Sequence, residues 1–159
     1  MPLVSNGVKT QKIYLGSDHA GFAVKEKLKR YFKEKRIPYK DLGTHSLDSV
    51  DYPDYAMAVA RKIAKEKNTR GILICGTGTG MVIAANKVKG IRAVAAYDKY
   101  SAEMSRRDND TNVLGLRGRF FPFKKIREIV SVWLKTPFSQ KARHKRRINK
   151  IKKFETHGG

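Results

Sequence analysis

Cysteine, acidic residues and long apolar runs are all scarce in this chain. The one cysteine, Cys75, allows no internal disulfide and fits a reducing compartment. No apolar stretch approaches the ~18 residues a membrane-crossing helix needs, so an integral helical membrane protein is excluded. The first ten residues, Met1 to Thr10, are polar and lack the apolar core of a secretory signal, so a cytoplasmic location is expected. Acids are outnumbered: 14 Asp and Glu against 35 Lys and Arg leave a formal charge of +21. Such a balance attracts anions, and both nucleic acid and phosphorylated metabolites answer that description.

What is present suffices for one packed core. Hydrophobic residues make up 40% of the 159 residues and aromatics 9%, which excludes a disordered chain and fits a single domain over 1–159. Short apolar runs at 12–15, 39–42, 71–75, 92–96 and 113–116 read as strands. Helical patterns lie between them. Phe22, Leu28 and Phe32 mark the first, which reaches about Lys35; Tyr55, Val59 and Ile63 mark the second. A third starts near Thr79, a fourth covers 101–109, and Ile126, Val130 and Leu134 mark a fifth. The run Gly-Ile-Leu-Ile-Cys at 71–75 is apolar after its glycine, as a central strand covered on both faces should be. The alternation predicts a three-layer α/β/α sandwich around a five-stranded parallel, Rossmann-like sheet. The core is expected over about 11–136, followed by a basic helical arm over about 137–159. Residues 141–153 carry eight Lys or Arg and no acid, with Ile148 and Ile151 as a thin apolar seam.

Ligands of open α/β sheets bind beyond the carboxyl ends of the strands, which directs attention to the residues there. The first strand ends in Gly-Ser-Asp-His-Ala-Gly at 16–21, the third in Cys-Gly-Thr-Gly-Thr-Gly at 75–80, and the fourth leads into Tyr97 and Asp98. Gly76, Gly78 and Gly80 leave backbone N–H groups free to converge on an anion. The spacing is not a dinucleotide fingerprint, because Met81 stands where the third glycine belongs, and no Gly-Lys-Ser/Thr makes it a P-loop. A phosphate or oxyanion nest remains, alongside the plainer reading of a tight strand-to-helix turn. Cys75 beside this turn is a candidate base or nucleophile, or a small buried hydrophobe. Asp18 and His19 suit a sugar hydroxyl or phosphate, and equally a helix cap. Arg143 and Arg147, one helical turn apart with His144 beside Arg143, suit a phosphate grip, and equally a solvated basic face.

In order and spacing these segments resemble the type-B ribose-5-phosphate isomerase and galactose-6-phosphate isomerase family. The resemblance covers about 12–153. Its marks are the motifs at 16–21 and 71–78, Asp-Tyr-Pro at 51–53, Ala-Ala-Asn-Lys at 84–87, Asn-Asp-Thr-Asn-Val-Leu at 109–114 and Arg-His-x-x-Arg at 143–147. It implies an aldose–ketose isomerase of the pentose phosphate pathway, interconverting ribose 5-phosphate and ribulose 5-phosphate without a metal or organic cofactor. Cys75 would move a proton between C1 and C2, with Thr77 and the amides of Gly76, Gly78, Thr79 and Gly80 stabilising the cis-enediolate. Asp18 and Tyr52 would meet the sugar, His19, Arg119, Arg143 and Arg147 would hold the phosphate, and Asn109 would complete the pocket. The family resemblance also implies a homodimer, with a tetramer open, whose site lies at the subunit interface under the partner's C-terminal arm.

One departure stands out. The family usually has a ring-opening histidine where this chain has Asp108. Asp108 takes over its role, or His144 or a water does, or the protein works slowly or on another sugar phosphate, six-carbon aldose phosphates included. A basic nucleic-acid-binding protein is the rival from another class, favoured by the charge but disfavoured by an arm with only Phe154 as a stacking platform.

Overall fold

Burial follows the alternation expected of a doubly wound sheet in the computed structural model, which describes residues 11–158; the polar segment 1–10 and Gly159 lie outside the described residues. Strand β1 (Lys12–Ser17) leads to helix α1 (Phe22–Lys35), β2 (Tyr39–Asp41), α2 (Tyr52–Lys65), β3 (Thr69–Cys75) and α3 (Thr79–Ala85). Then come β4 (Ala93–Ala95), α4 (Lys99–Asn109), β5 (Val113–Arg117), α5 (Phe123–Lys135) and α6 (Ala142–His157). The strands form one sheet in the order β2-β1-β3-β5-β4, every neighbouring pair parallel. The central strand is β3, as its unbroken apolar run requires.

Successive residues of each strand face opposite layers. Leu15, Ile72, Ile74, Leu114 and Leu116 pack against buried residues of α1, α4 and α5. Tyr14, Leu73, Cys75 and Val113 pack against α2 and α3 on the other side. This is the expected three-layer α/β/α sandwich.

Three details differ from the pattern reading. The first is α4, which starts at Lys99 rather than Ser101 because the Asp98 carboxylate accepts the Ser101 N–H at 2.7 Å and caps the helix. The second is α1, which buries Lys25, 0% exposed, in its apolar stripe. That ammonium is held by both oxygens of Asp41 at 2.7 and 2.6 Å, tying α1 to the end of β2. The third is the seam of α6. Ile148 is buried as expected, but Ile151 is 49% exposed, and His144 takes its place in the seam. Residues 144, 148 and 151 follow i, i+4, i+7 spacing and share one face, so burial is lost along the helix beyond Ile148 rather than around it.

At the amino end of the sheet, Asp110 accepts from Arg92 at 3.1 Å and from Arg106 at 2.8 Å. These bonds fix the turn between α4 and β5. Nearby, Trp133 donates its indole N–H to Thr111 Oγ1 at 2.9 Å, with the Arg70 guanidinium 5.2 Å from the ring centre.

Candidate active site

The carboxyl end of the sheet gathers the first group of candidate residues. Asp18 follows β1: its N–H donates to the Ile74 carbonyl at 3.2 Å, and its Oδ1 accepts the Gly21 N–H at 3.0 Å. The strand β1 thereby ends against β3. A side chain at Gly21 would put Cβ 2.3 Å from the Ile74 carbonyl oxygen, so only glycine allows this close approach. His19 accepts the Val50 N–H on Nδ1 at 3.2 Å, which orients the ring from the segment ahead of α2.

Cys75, the last residue of β3, is buried, and its Sγ accepts the Gly78 N–H at 3.1 Å. Gly78 has φ 85° and lies against the Leu116 backbone, so the turn folds back over the sulphur. Thr77 and Thr79 are exposed and share a hydrogen bond at 2.7 Å between their hydroxyls. Among the described residues, the amides of Gly76, Thr77 and Gly80 have no partner within the chain. Two side chains wall the turn. A Cβ at Gly80 would come within 2.7 Å of the Tyr52 ring, and one at Gly76 within 3.3 Å of the Arg119 guanidinium. Arg119 is further anchored by its own N–H, which donates to the Gly76 carbonyl at 3.2 Å.

The sequence reading named Tyr97 only as the end of a strand. Its hydroxyl donates to the Thr77 carbonyl at 2.9 Å, making it a third wall of the turn. A tyrosine just after a strand's carboxyl end was the available signal.

The remaining candidates lie elsewhere. Asp108 and Asn109 end α4, and every helix that returns from a carboxyl end to the next parallel strand finishes at the amino end. Asn109 bears this out: its carbonyl accepts from Arg92, just ahead of β4, at 2.9 Å. The register pairs Gly71 with Val113 and Cys75 with Arg117. At about 3.3 Å per residue those two levels are roughly 13 Å apart, and Asp108 lies below the lower one. Helix α6 docks at this lower pole. Buried His144 places Nε2 3.6 Å from Asp108 Oδ1 and shares a 2.6 Å hydrogen bond through Nδ1 with Ser139 Oγ. Arg143 Nε donates to His144 Nε2 at 3.2 Å, and Arg107 Nε donates to Asp108 at 3.2 Å. Arg143 and Arg147 are exposed.

One chain therefore carries two separate half-sets. Asp18, His19, Tyr52, Cys75 to Gly80 and Arg119 meet at the carboxyl pole; Asp108, Asn109, Arg143, His144 and Arg147 meet at the amino pole. Among the described residues no group of three or more His, Cys, Asp or Glu side chains has metal-binding geometry. No helix among them is long and apolar enough to cross a membrane.

A doubly wound domain with a thiol and a glycine turn of unpartnered amides at the strand ends belongs to the α/β enzymes that handle small anionic ligands. Comparison with known proteins makes this specific. The family model described as Ribose/Galactose Isomerase matches residues 13–151, and the chain belongs to that family. Ribose-5-phosphate isomerase B of Escherichia coli is 42% identical over 145 residues, covering 91% of this chain and 97% of that protein. D-erythrulose-4-phosphate isomerase 2 of Mycolicibacterium smegmatis is 39% identical over 147 residues, 91% of this chain and 97% of that one. Among solved structures, ribose-5-phosphate isomerase B from Mycoplasma genitalium with bound ribulose-5-phosphate superposes with a TM-score of 0.87. It is 39% identical, and the match covers 92% of this chain and 97% of that one.

Proposed function

We infer that the protein is an aldose–ketose isomerase that interconverts ribose 5-phosphate and ribulose 5-phosphate. The observation that carries this reading is the Cys75 thiol set against a turn whose Gly76, Thr77 and Gly80 amides are unpartnered. A base beside free amides is what proton transfer next to a carbonyl requires. Cys75 takes the proton from C2 of the open-chain aldose and returns it to C1. The hydroxyl proton moves from O2 to O1, so no external oxidant or reductant is needed. The free amides and Thr77 stabilise the negative charge on the enediolate oxygens. Tyr52 and Tyr97 bound the sugar, Asp18 binds its hydroxyls, and His19 and Arg119 contribute to holding the phosphate.

The second half-set enters through a second copy. Asp108, Asn109, Arg143 and Arg147 cannot reach Cys75 in their own chain, because the sheet separates the two poles. An isologous dimer, in which each amino pole docks on the other chain's carboxyl pole, completes two identical sites. In each, Arg143 and Arg147 grip the phosphate, and Asp108 protonates the ring oxygen with His144 behind it. The 3.6 Å approach of His144 to Asp108 favours this pair over a water. The reading includes a cytoplasmic location, which suits the single cysteine and a phosphorylated metabolite.

The test is turnover of ribose 5-phosphate by the purified protein. Ribulose 5-phosphate should form, and Cys75→Ala should lower kcat by about 10³-fold, within the range for a lost general base. Turnover undiminished in Cys75→Ala would overturn the mechanism. An inactive intact protein would overturn the substrate, and tetrose and hexose phosphates would be assayed in its place.

A further inference from the structure

The isomerase site uses few of the chain's cations, and the surplus is not spread evenly. The outer face of the α1–α5 layer, which is not the face that buries Cys75, carries a groove of about 570 Å³. Lys35, Lys99, Lys124, Arg127 and Lys135 line it. An adjoining hollow of about 250 Å³ shares Tyr31, Glu34 and Arg127 with it and adds Lys27 and Arg30. All seven cations are exposed. Two acids, Glu34 and Glu128, stand among them. Yet among the described residues none of these nine side chains forms an ion pair. Two of the cations lie over aromatic rings of the same face: Lys27 is 5.8 Å from the Phe123 ring centre and Arg127 is 5.7 Å from that of Tyr31. Their stems are seated on the surface while their charges stay unpaired.

Two exposed aromatic rings lie close in sequence to residues of the groove and its adjoining hollow. Phe120, 91% exposed, stands in the turn leading into α5, three residues before Phe123. Tyr100, 72% exposed, follows the groove residue Lys99. The interleaving of rings and cations that α6 lacks is present here.

We propose that the α1–α5 groove binds the phosphate backbone of a single-stranded nucleic acid, with bases stacking on Phe120 and Tyr100. A groove of about 570 Å³ takes one strand's backbone rather than a duplex. Cations along a groove combined with exposed aromatic faces are how sequence-tolerant single-strand binding is built. Recognition is through phosphates and ring faces, so little base preference is expected.

The experiment is fluorescence anisotropy with a labelled 20-nucleotide mixed-sequence RNA, titrated across potassium chloride concentrations. If about five phosphates are neutralised, log K falls against log salt with a slope near −3.5. The triple variant Lys35→Gln, Lys124→Gln, Arg127→Gln should flatten that slope by about 2 and weaken binding at least ~10-fold. A charge-matched triple on α6 (Lys150→Gln, Lys152→Gln, Lys153→Gln) should leave the slope unchanged. Isomerase turnover of the groove triple should stay at the parent value, which also reports that it is folded. Phe120→Ala should weaken RNA binding about 10-fold while leaving sodium polyphosphate binding unaltered. Equal weakening by the two triples would show bulk charge rather than a groove, and would overturn the proposal. A Phe120→Ala variant that binds both polyanions as the parent does would overturn it too, since the groove would then read bare phosphate.

Discussion

At the residue scale, two aspartates illustrate how environment assigns a carboxylate its task. Burial works against the charge on Asp41, but hydrogen bonds from Lys25, the Gly43 amide and Lys29 outweigh it and hold the carboxyl below its usual range. A depressed carboxylate stabilises the fold fully above its unfolded value, near 3.9, and that stabilisation is lost as pH falls through the lower folded value. Asp41→Asn leaves the Lys25 ammonium, 0% exposed, with only the more distant Glu26 Oε1, at 3.6 Å, as counter-charge. The expected cost is about 3–5 kcal/mol at neutral pH, read as a lower urea midpoint, with a flatter acid limb below pH 4. Asp108 has a different setting, half-buried between Arg107 and His144 and open to a ligand. If it opens the furanose ring, Asp108→Asn slows turnover of ribose 5-phosphate by about 10²-fold. The fixed equilibrium makes forward and reverse kcat/KM fall together, so the discriminating substrate is a tetrose 4-phosphate, which cannot close a furanose ring because its O4 is esterified. A loss confined to ribose 5-phosphate would assign Asp108 to ring opening, and equal losses on both aldoses would assign it to binding instead.

At the element scale, α6 is the weakly held part. Two buried side chains, His144 and Ile148, anchor its 16 residues. Ile148→Ala should loosen the docked helix, raising KM for ribose 5-phosphate several-fold and speeding amide exchange along α6, with the sheet's exchange unaltered. Where sequence reading succeeded and failed is clearest on such elements. Strands β3 and β5 were legible because both faces are covered and the apolar runs are unbroken. The glycine turn after β3 was legible because three glycines at alternate positions exceed what a simple junction needs. The seam of α6 was carried too far, to Ile151, because spacing shows which face of a helix is apolar and not how far along that face the docked surface reaches. His144 filled the gap, and a histidine in a basic run gives no sign of burial. Buried Lys25 was hidden in the same way: its partner Asp41 is 16 residues away, and only the fold joins them.

At the scale of the whole molecule, topology decides the mechanism. Local pattern offered Cys75, Arg143 and Arg147 as candidates without showing that the sheet holds them at opposite poles. Strand direction supplies that fact, because α4 must end where β5 begins. On the proposed mechanism, the chemistry then needs two copies. Cys75→Ala destroys one pole and Arg147→Ala the other, so each variant alone should be nearly inactive on ribose 5-phosphate. Mixed in equal amounts and allowed to exchange subunits, half of the dimers are hybrids with one intact site each. The mixture should therefore recover about a quarter of the parent activity. Recovery near that level would establish both the isomerase activity and its shared site. A mixture that stays inactive while native mass spectrometry shows the hybrid dimer would contradict the account at its centre.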